Sequence, residues 1–160
     1  MEKKPTTLEL IPDSDPRLHT QCEVINPHTY PQLRDIINAM YHVMWDHEGM
    51  GLAAPQVGLN IRLFLMHHND QGYVCINPHI EKSSEETSVR GEGCLSYPGE
   101  RVMVERPVEV RITYQNLRGV KVKKKFNGLL ARCFQHEMDH LDGIVMGDVG
   151  VPEPDDTDDN

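Results

Sequence analysis

The sequence predicts an α+β domain: antiparallel strands around one central helix, with a second helix packed outside. Three observations lead there. Apolar residues recur at the helical period in two separate stretches, near 33–44 and 129–141. Between them lie short β-prone segments set apart by turn residues. The second helical stretch also carries ionisable side chains on its apolar side. A chain of 160 residues can bury one core without staples, and no internal repeat is evident.

The elements follow in order. Residues 10–30 are rich in Pro, Asp and His and read as an extended, turn-filled lead-in. Pro31 suits a helix start, where a preset φ helps and a missing N–H costs nothing. Leu33, Ile36, Ile37, Met40, Tyr41 and Met44 then form one stripe that ends near Gly49. Residues 61–66 and 72–76 read as strands joined through Asn69-Asp70-Gln71-Gly72 as a hairpin turn. The run from Gly91 to Gly99 reads as a glycine-rich turn. Further strands are expected at 101–105, 108–114 and 120–126, with Asn116-Leu117-Arg118-Gly119 as a turn. From Gly128 the residues Leu129, Leu130, Cys133, Phe134, Glu137 and Leu141 repeat at the helical period. The domain is expected over 1–150, and the acidic, Pro-containing stretch 151–160 is expected to be a disordered, solvating tail.

The most informative stretch is His136-Glu137-Met138-Asp139-His140. Four helical residues turn about 400° and rise about 6 Å, so both imidazoles leave one face and can grip one metal ion. Glu137 lies on the flank, placed to take a proton from a metal-bound water, which is the arrangement of metal-assisted hydrolysis. The pentapeptide also occurs by chance in helices that bind nothing. Here Cys133, His136, Glu137 and His140 fall on or beside the apolar stripe, so they face the interior, where a buried charge needs a partner.

A catalytic tetrahedral site takes three protein ligands and leaves one position open. One protease pattern would supply a third His after Gly143, but Met146 stands there, and the downstream Glu153 sits between prolines in the acidic tail. The third ligand therefore comes from upstream. Cys133 is too close along the helix to reach a shared ion well, and Cys75 reads as a buried strand residue. Cys94 is flanked by glycines that let the backbone approach a ligand and leave the thiolate accessible, so it is the candidate.

Three blocks now stand in order: Gly49-Met50-Gly51-Leu52-Ala53-Ala54-Pro55-Gln56, Glu92-Gly93-Cys94-Leu95-Ser96 and Gln135-His136-Glu137-Met138-Asp139-His140-Leu141-Asp142-Gly143. In order and spacing they resemble the peptide deformylases, over about residues 10–149. The resemblance implies removal of the formyl group from the initiator methionine of new bacterial-type polypeptides. It implies Cys94, His136 and His140 as metal ligands, Glu137 as general base and acid, and Gln56 with the backbone N–H of Leu95 as stabilisers of the oxyanion. It implies Fe(II) as the native ion, with Zn(II), Ni(II) or Co(II) able to occupy the same ligands.

The same resemblance places Met50, Leu129, Arg132 and Cys133 around the methionine side chain, and Gly51, Gly93 and Arg101 against the substrate. Arg132 departs from the apolar residue common in bacterial relatives, and its guanidinium is expected at the rim or in solvent. Arg101 and Glu92 match positions near the site, where they would either pair and order the Cys94 loop or stand as ordinary surface charges. The chain is expected to do without the C-terminal helix of longer bacterial relatives, implicated in ribosome docking, and in this expectation it resembles short forms encoded by bacterial viruses.

Composition excludes several classes. With 25 acidic against 16 basic side chains and a net charge of −9, phosphate-neutralising nucleic-acid binding is not expected. Lys121, Lys123, Lys124 and Lys125 form the one basic run, read as an edge-protecting face with ribosome contact as the alternative. No apolar stretch is long enough for a bilayer, and no signal-peptide pattern opens the chain. Four unpatterned cysteines fit a reducing compartment, so a bacterial cytosol is expected, a host's if the chain is virus-encoded. Two other functions share part of the pattern: a metallopeptidase, which would cleave unformylated peptides, and a metal-binding scaffold, which would not need Glu137.

Overall fold

The computed structural model describes residues 7–152. Helix α1 spans Leu33–Asp46, strand β1 Gly51–Ala53, β2 Leu63–His68, β3 Gln71–Ser83, β4 Thr87–Cys94, β5 Tyr97–Pro107, β6 Glu109–Gln115 and β7 Lys121–Asn127. Helix α2 spans Gly128–Leu141, and a short α3, Met146–Val149, leads into β8, Val151–Pro152. All strand pairings between these elements are antiparallel. They form a five-stranded sheet in the order β1-β2-β3-β6-β7 and a three-stranded sheet in the order β4-β5-β8.

Five of the six residues of the predicted helical stripe, Leu33, Ile36, Ile37, Met40 and Met44, lie on the buried face of α1; Tyr41 is half-buried, and Val43 is buried in addition. Pro31 stands before the cap and not in the first turn. Gln32, the cap, takes a left-handed φ of 59°, which a proline at that point could not adopt. At the other end Glu48 is left-handed, Gly49 N–H reaches Met44 C=O at 2.8 Å and Glu48 N–H reaches Trp45 C=O at 3.0 Å. This paired closure ends the helix and turns the chain into β1.

Strand β2 explains how the core is layered. Leu63 and Leu65 pack with α1, while Phe64 and Met66 pack with Phe134 of α2 and with β3, β6 and β7 side chains. The two helices therefore cover opposite faces of one sheet, and an unbroken buried run replaces the alternation of a half-exposed strand. Phe64 and Phe134 meet edge to face at 5.0 Å. On its other side α2 packs against β5, so the predicted central helix lies between the two sheets.

The hairpin between β2 and β3 turns at Asn69 and Asp70, both with positive φ, and pairs His68 with Gln71. This is the two-residue geometry that matches strand twist. The glycine-rich run is different from the expected turn. Its first half is the end of β4, Cys94 pairs with Tyr97, and only Leu95 and Ser96 form the tip. Strand β4 belongs to a thin sheet and is mostly exposed, so it shows no apolar alternation to read.

Strand β7 is an edge, with Lys121, Lys123, Lys124 and Lys125 exposed along it. Within the stretch expected as a tail, Val151 and Pro152 pair with Met103 and Val102. The remainder of the expected tail, 153–160, lies outside the described residues. No helix among the described residues is long and apolar enough to cross a membrane.

Candidate metal centre

Helix α2 presents His136 and His140 one turn apart, with ring centroids 5.1 Å from each other. The helix stops immediately afterwards: Gly143 is left-handed, its N–H bonds His140 C=O at 3.1 Å, and Ile144 N–H bonds Asp139 C=O at 2.8 Å. Across from the helix, the β4–β5 hairpin brings Cys94 to its tip. The sulfur lies 3.3 Å from Nε2 of His140, and the potential ligand atoms of Cys94, His136 and His140 all lie within 4.8 Å of one another. Among the described residues this is the group of three that can hold a metal ion.

A thiolate and two imidazoles are a donor set for a borderline divalent cation such as Fe(II) or Zn(II). One orphaned polar atom fits the same reading. Of the two buried side-chain atoms without a hydrogen-bond partner among the described residues, Glu137 Oε1 belongs to the carboxylate beside these donors, where a nearby cation or water would offset its desolvation cost, whereas His140 Nδ1 is the ring nitrogen turned away from Cys94. Burial raises the Glu137 carboxyl to about 7, with the charge of His136 acting in the opposite direction.

The His136 ring is oriented through its far nitrogen. Its Nδ1 lies 2.9 Å from Glu92 Oε1, which leaves Nε2 to face Cys94. Burial disfavours charge on Glu92, but hydrogen bonds from His136 and Arg106 hold it down to about 2. Arg106 Nε and Nη2 grip this carboxylate at 2.6 and 2.9 Å, and its Nη1 reaches Asp139 at 2.9 Å. The two imidazoles differ accordingly. Burial, then the charges of His136 and Arg106, push His140 down to about 3, whereas contacts with Cys94 and Glu92 overcome burial and hold His136 up to about 10.

Gln56 sits in a 3-10 turn, Ala54–Val57, and is 1% exposed. Its Oε1 accepts from Ala53 N–H at 2.9 Å, which fixes the amide so that Nε2 points to Cys94 Sγ at 3.4 Å and Ser96 Oγ at 3.0 Å. A cavity of about 660 Å³ opens beside these groups, lined among others by Met50, Gly51, Leu95, Leu129, Cys133 and Glu137. Gly93, Arg101 and Arg132 also border it. Gly51 has no room for a side chain: a Cβ would stand 2.6 Å from Glu137 Oε2 and 3.0 Å from Cys133 Sγ. Cys133 is outside the donor group, and burial, then Glu137, raises its thiol well above the ordinary range.

Two expectations need correction. Arg132 is neither at the rim nor in solvent: it is 7% exposed, and its Nη1 donates to Glu92 Oε2 at 2.6 Å. Glu92 does not take its hydrogen bonds from Arg101. Arg101 is exposed and donates to Gly91 C=O at 3.2 Å, while Glu92 is held by Arg106 and Arg132. Sequence reasoning missed Arg106, Asp139 and Ser88 as parts of this network. Asp139 lies within the histidine motif, but Arg106 and Ser88 become neighbours only through β4–β5 pairing, which no local spacing announces.

Comparison with known proteins gives the same picture along the chain. The family model of polypeptide deformylases matches residues 7–153. A peptide deformylase of Thermotoga neapolitana is 44% identical over 116 residues, spanning 72% of this chain and 71% of that one. The crystal structure of the Thermotoga maritima peptide deformylase superposes with a TM-score of 0.87 at 37% identity, covering 92% of this chain and 99% of that one. A Met-Ala-Ser-bound class I type b peptide deformylase from Acinetobacter baumannii superposes with a TM-score of 0.84 at 31% identity, covering 91% and 99%. A match over residues 7–153, far beyond the histidine motif, separates common descent from a shared motif, and this chain belongs to the polypeptide deformylase family.

Proposed function

We propose that this protein hydrolyses the N-formyl group from the initiator methionine of newly made polypeptides, releasing formate and a free N-terminus. The observation that carries the reading is Glu137, with a buried, unpartnered Oε1, lining the same cavity as Cys94 and His136, two of the three residues whose donor atoms converge with those of His140. Those three residues would hold a divalent cation, Fe(II) natively, with Zn(II), Ni(II) or Co(II) as alternatives. Bound there, the cation supplies Lewis acidity toward water and toward a carbonyl oxygen.

The chain's own groups do the rest. Glu137 takes a proton from the attacking water as its oxygen adds to the formyl carbon. A carboxyl raised to about 7 exchanges protons readily near neutrality. Charge gathers on the former carbonyl oxygen, and the Gln56 amide, its Oε1 held by Ala53, would turn toward it the N–H that rests on Cys94 Sγ at 3.4 Å. The backbone N–H of Leu95, at the hairpin tip, would be the second donor. Glu137 then returns the proton to the departing amine as the C–N bond breaks. The methionine side chain would occupy the apolar part of the cavity near Met50, Leu129 and Cys133.

The Acinetobacter relative was crystallised with a methionine-leading tripeptide, the kind of product this reaction would leave. A formylated methionyl peptide is therefore the substrate to test. Formate release from such a peptide, beside its acetylated and free-amine counterparts, is the assay, with metal analysis on anaerobically prepared protein. Release from the formylated peptide alone is expected. Cleavage of the free-amine peptide would point to a peptidase instead. We place the activity in a bacterial cytosol; the exposed lysines of β7 protect a sheet edge, with ribosome contact as the alternative.

A further inference from the structure

We infer that Arg132 is a positioning residue for the metal ligand His136, acting through Glu92; this rests on the reading that Cys94, His136 and His140 hold a cation.

Arg132, His136 and His140 follow at successive four-residue intervals on α2, so the helix that supplies two ligands also supplies the residue that steadies one of them. The carboxylate of Glu92 is fully engaged. Oε1 accepts from Arg106 Nη2 and meets His136 Nδ1, each at 2.9 Å, and Oε2 accepts from Arg106 Nε and Arg132 Nη1, each at 2.6 Å. Arg106 reaches the carboxylate from β5 and Arg132 reaches it from α2, so the group is held between two elements. Arg132 is itself fixed. Nη1 also donates to Val104 C=O at 2.9 Å, and Nη2 donates to Ser88 C=O and Oγ at 2.9 and 3.1 Å.

One planar guanidinium thus ties β4, β5 and α2 together at the oxygen opposite the one that faces His136. With Arg106 alone, the carboxylate can turn as a unit with its single fork and carry Oε1 away from the ring. A lysine would place one compact charge there and could not serve Glu92, Val104 and Ser88 from two nitrogens. Groups that orient a ligating histidine are typically worth roughly 10–100-fold in metal affinity.

The test is cobalt(II) affinity, by chelator competition, of the wild type, Arg132→Met, Glu92→Gln and the double variant. Methionine keeps an unbranched apolar stem along the cavity wall and removes the fork. Arg132→Met should weaken cobalt binding by roughly 10–100-fold and shift the visible cobalt spectrum. In the Glu92→Gln background the same change should cost less than about threefold, because the route through Glu92 is already broken. KM for a formyl-methionyl peptide should stay within about threefold of the wild type while kcat falls. Wild-type cobalt affinity in Arg132→Met, or an equal loss in both backgrounds, would overturn the assignment. If Arg132→Met does not fold, Arg132→Lys decides: intermediate affinity supports the assignment, and wild-type affinity overturns it. A wild-type protein that takes up no cobalt would overturn the metal reading and this inference together.

Discussion

The sulfur of Cys94, at the tip of the β4–β5 hairpin, lies 3.3 Å from Nε2 of His140 on α2, although 46 residues separate them. That contact is between a loop tip and a helix, not within either. Cys94→Ala should therefore strip the site of most of its metal while the domain stays folded. Metal analysis after gel filtration, alongside thermal unfolding, checks this. Full metal retention would remove Cys94 from the ligands.

Glu137 is one residue from His136 but is not in the donor group. Glu137→Gln keeps the shape and removes the proton acceptor. Metal content should be unchanged, and kcat should fall by roughly 10²–10⁴-fold, the usual worth of a positioned acid–base group. Formate release at saturating peptide is the measurement, and unchanged turnover would reject the role.

Gly51 is constrained by Glu137, not by its own backbone. A Cβ at 2.6 Å from Oε2 forces the carboxylate or the strand to move. Gly51→Ala should lower kcat by at least about tenfold, since a misplacement of about 1 Å is enough for a large loss. Metal content should persist, because the contacts among Cys94, His136 and His140 do not pass through β1. Loss of metal together with activity would place the damage elsewhere.

Gln56 offers its Nε2 toward Cys94 and Ser96 only because Ala53 N–H occupies its Oε1. Gln56→Leu removes the side-chain donor proposed for the developing oxyanion. The expected loss is about 2.7–4 kcal/mol of transition-state stabilisation, or roughly 10²–10³ in kcat, with KM less affected. Steady-state kinetics on a formyl-methionyl peptide distinguish this from a binding defect, in which KM alone would rise.

Much of the fold was legible because local pattern and burial coincide. The stripe of α1, the Asn69–Asp70 turn and the start of α2 at Gly128 all emerge where expected. Strand β4 did not, because it lies in a thin sheet whose glycines and exposed residues give no period. The Arg101–Glu92 pairing also failed. Within the β4–β5 register Glu92 opposes Val102 and Ser88 opposes Arg106, and the buried carboxylate is reached by Arg106 and Arg132, whose positions depend on packing between elements.

The sequence by itself determined the reactive constellation: two imidazoles one helical turn apart, an adjacent carboxylate, and a cysteine between glycines. These are consequences of chemistry and of spacing along a helix or a short loop, where chain connectivity sets geometry. Only the tertiary structure decided how that constellation is held. Glu92 serves His136, Arg106 and Arg132 at once, and Arg132 turns inward to join them. The reason is physical: a buried carboxylate is stable only where several donors converge, and that convergence comes from how two sheets close around one helix.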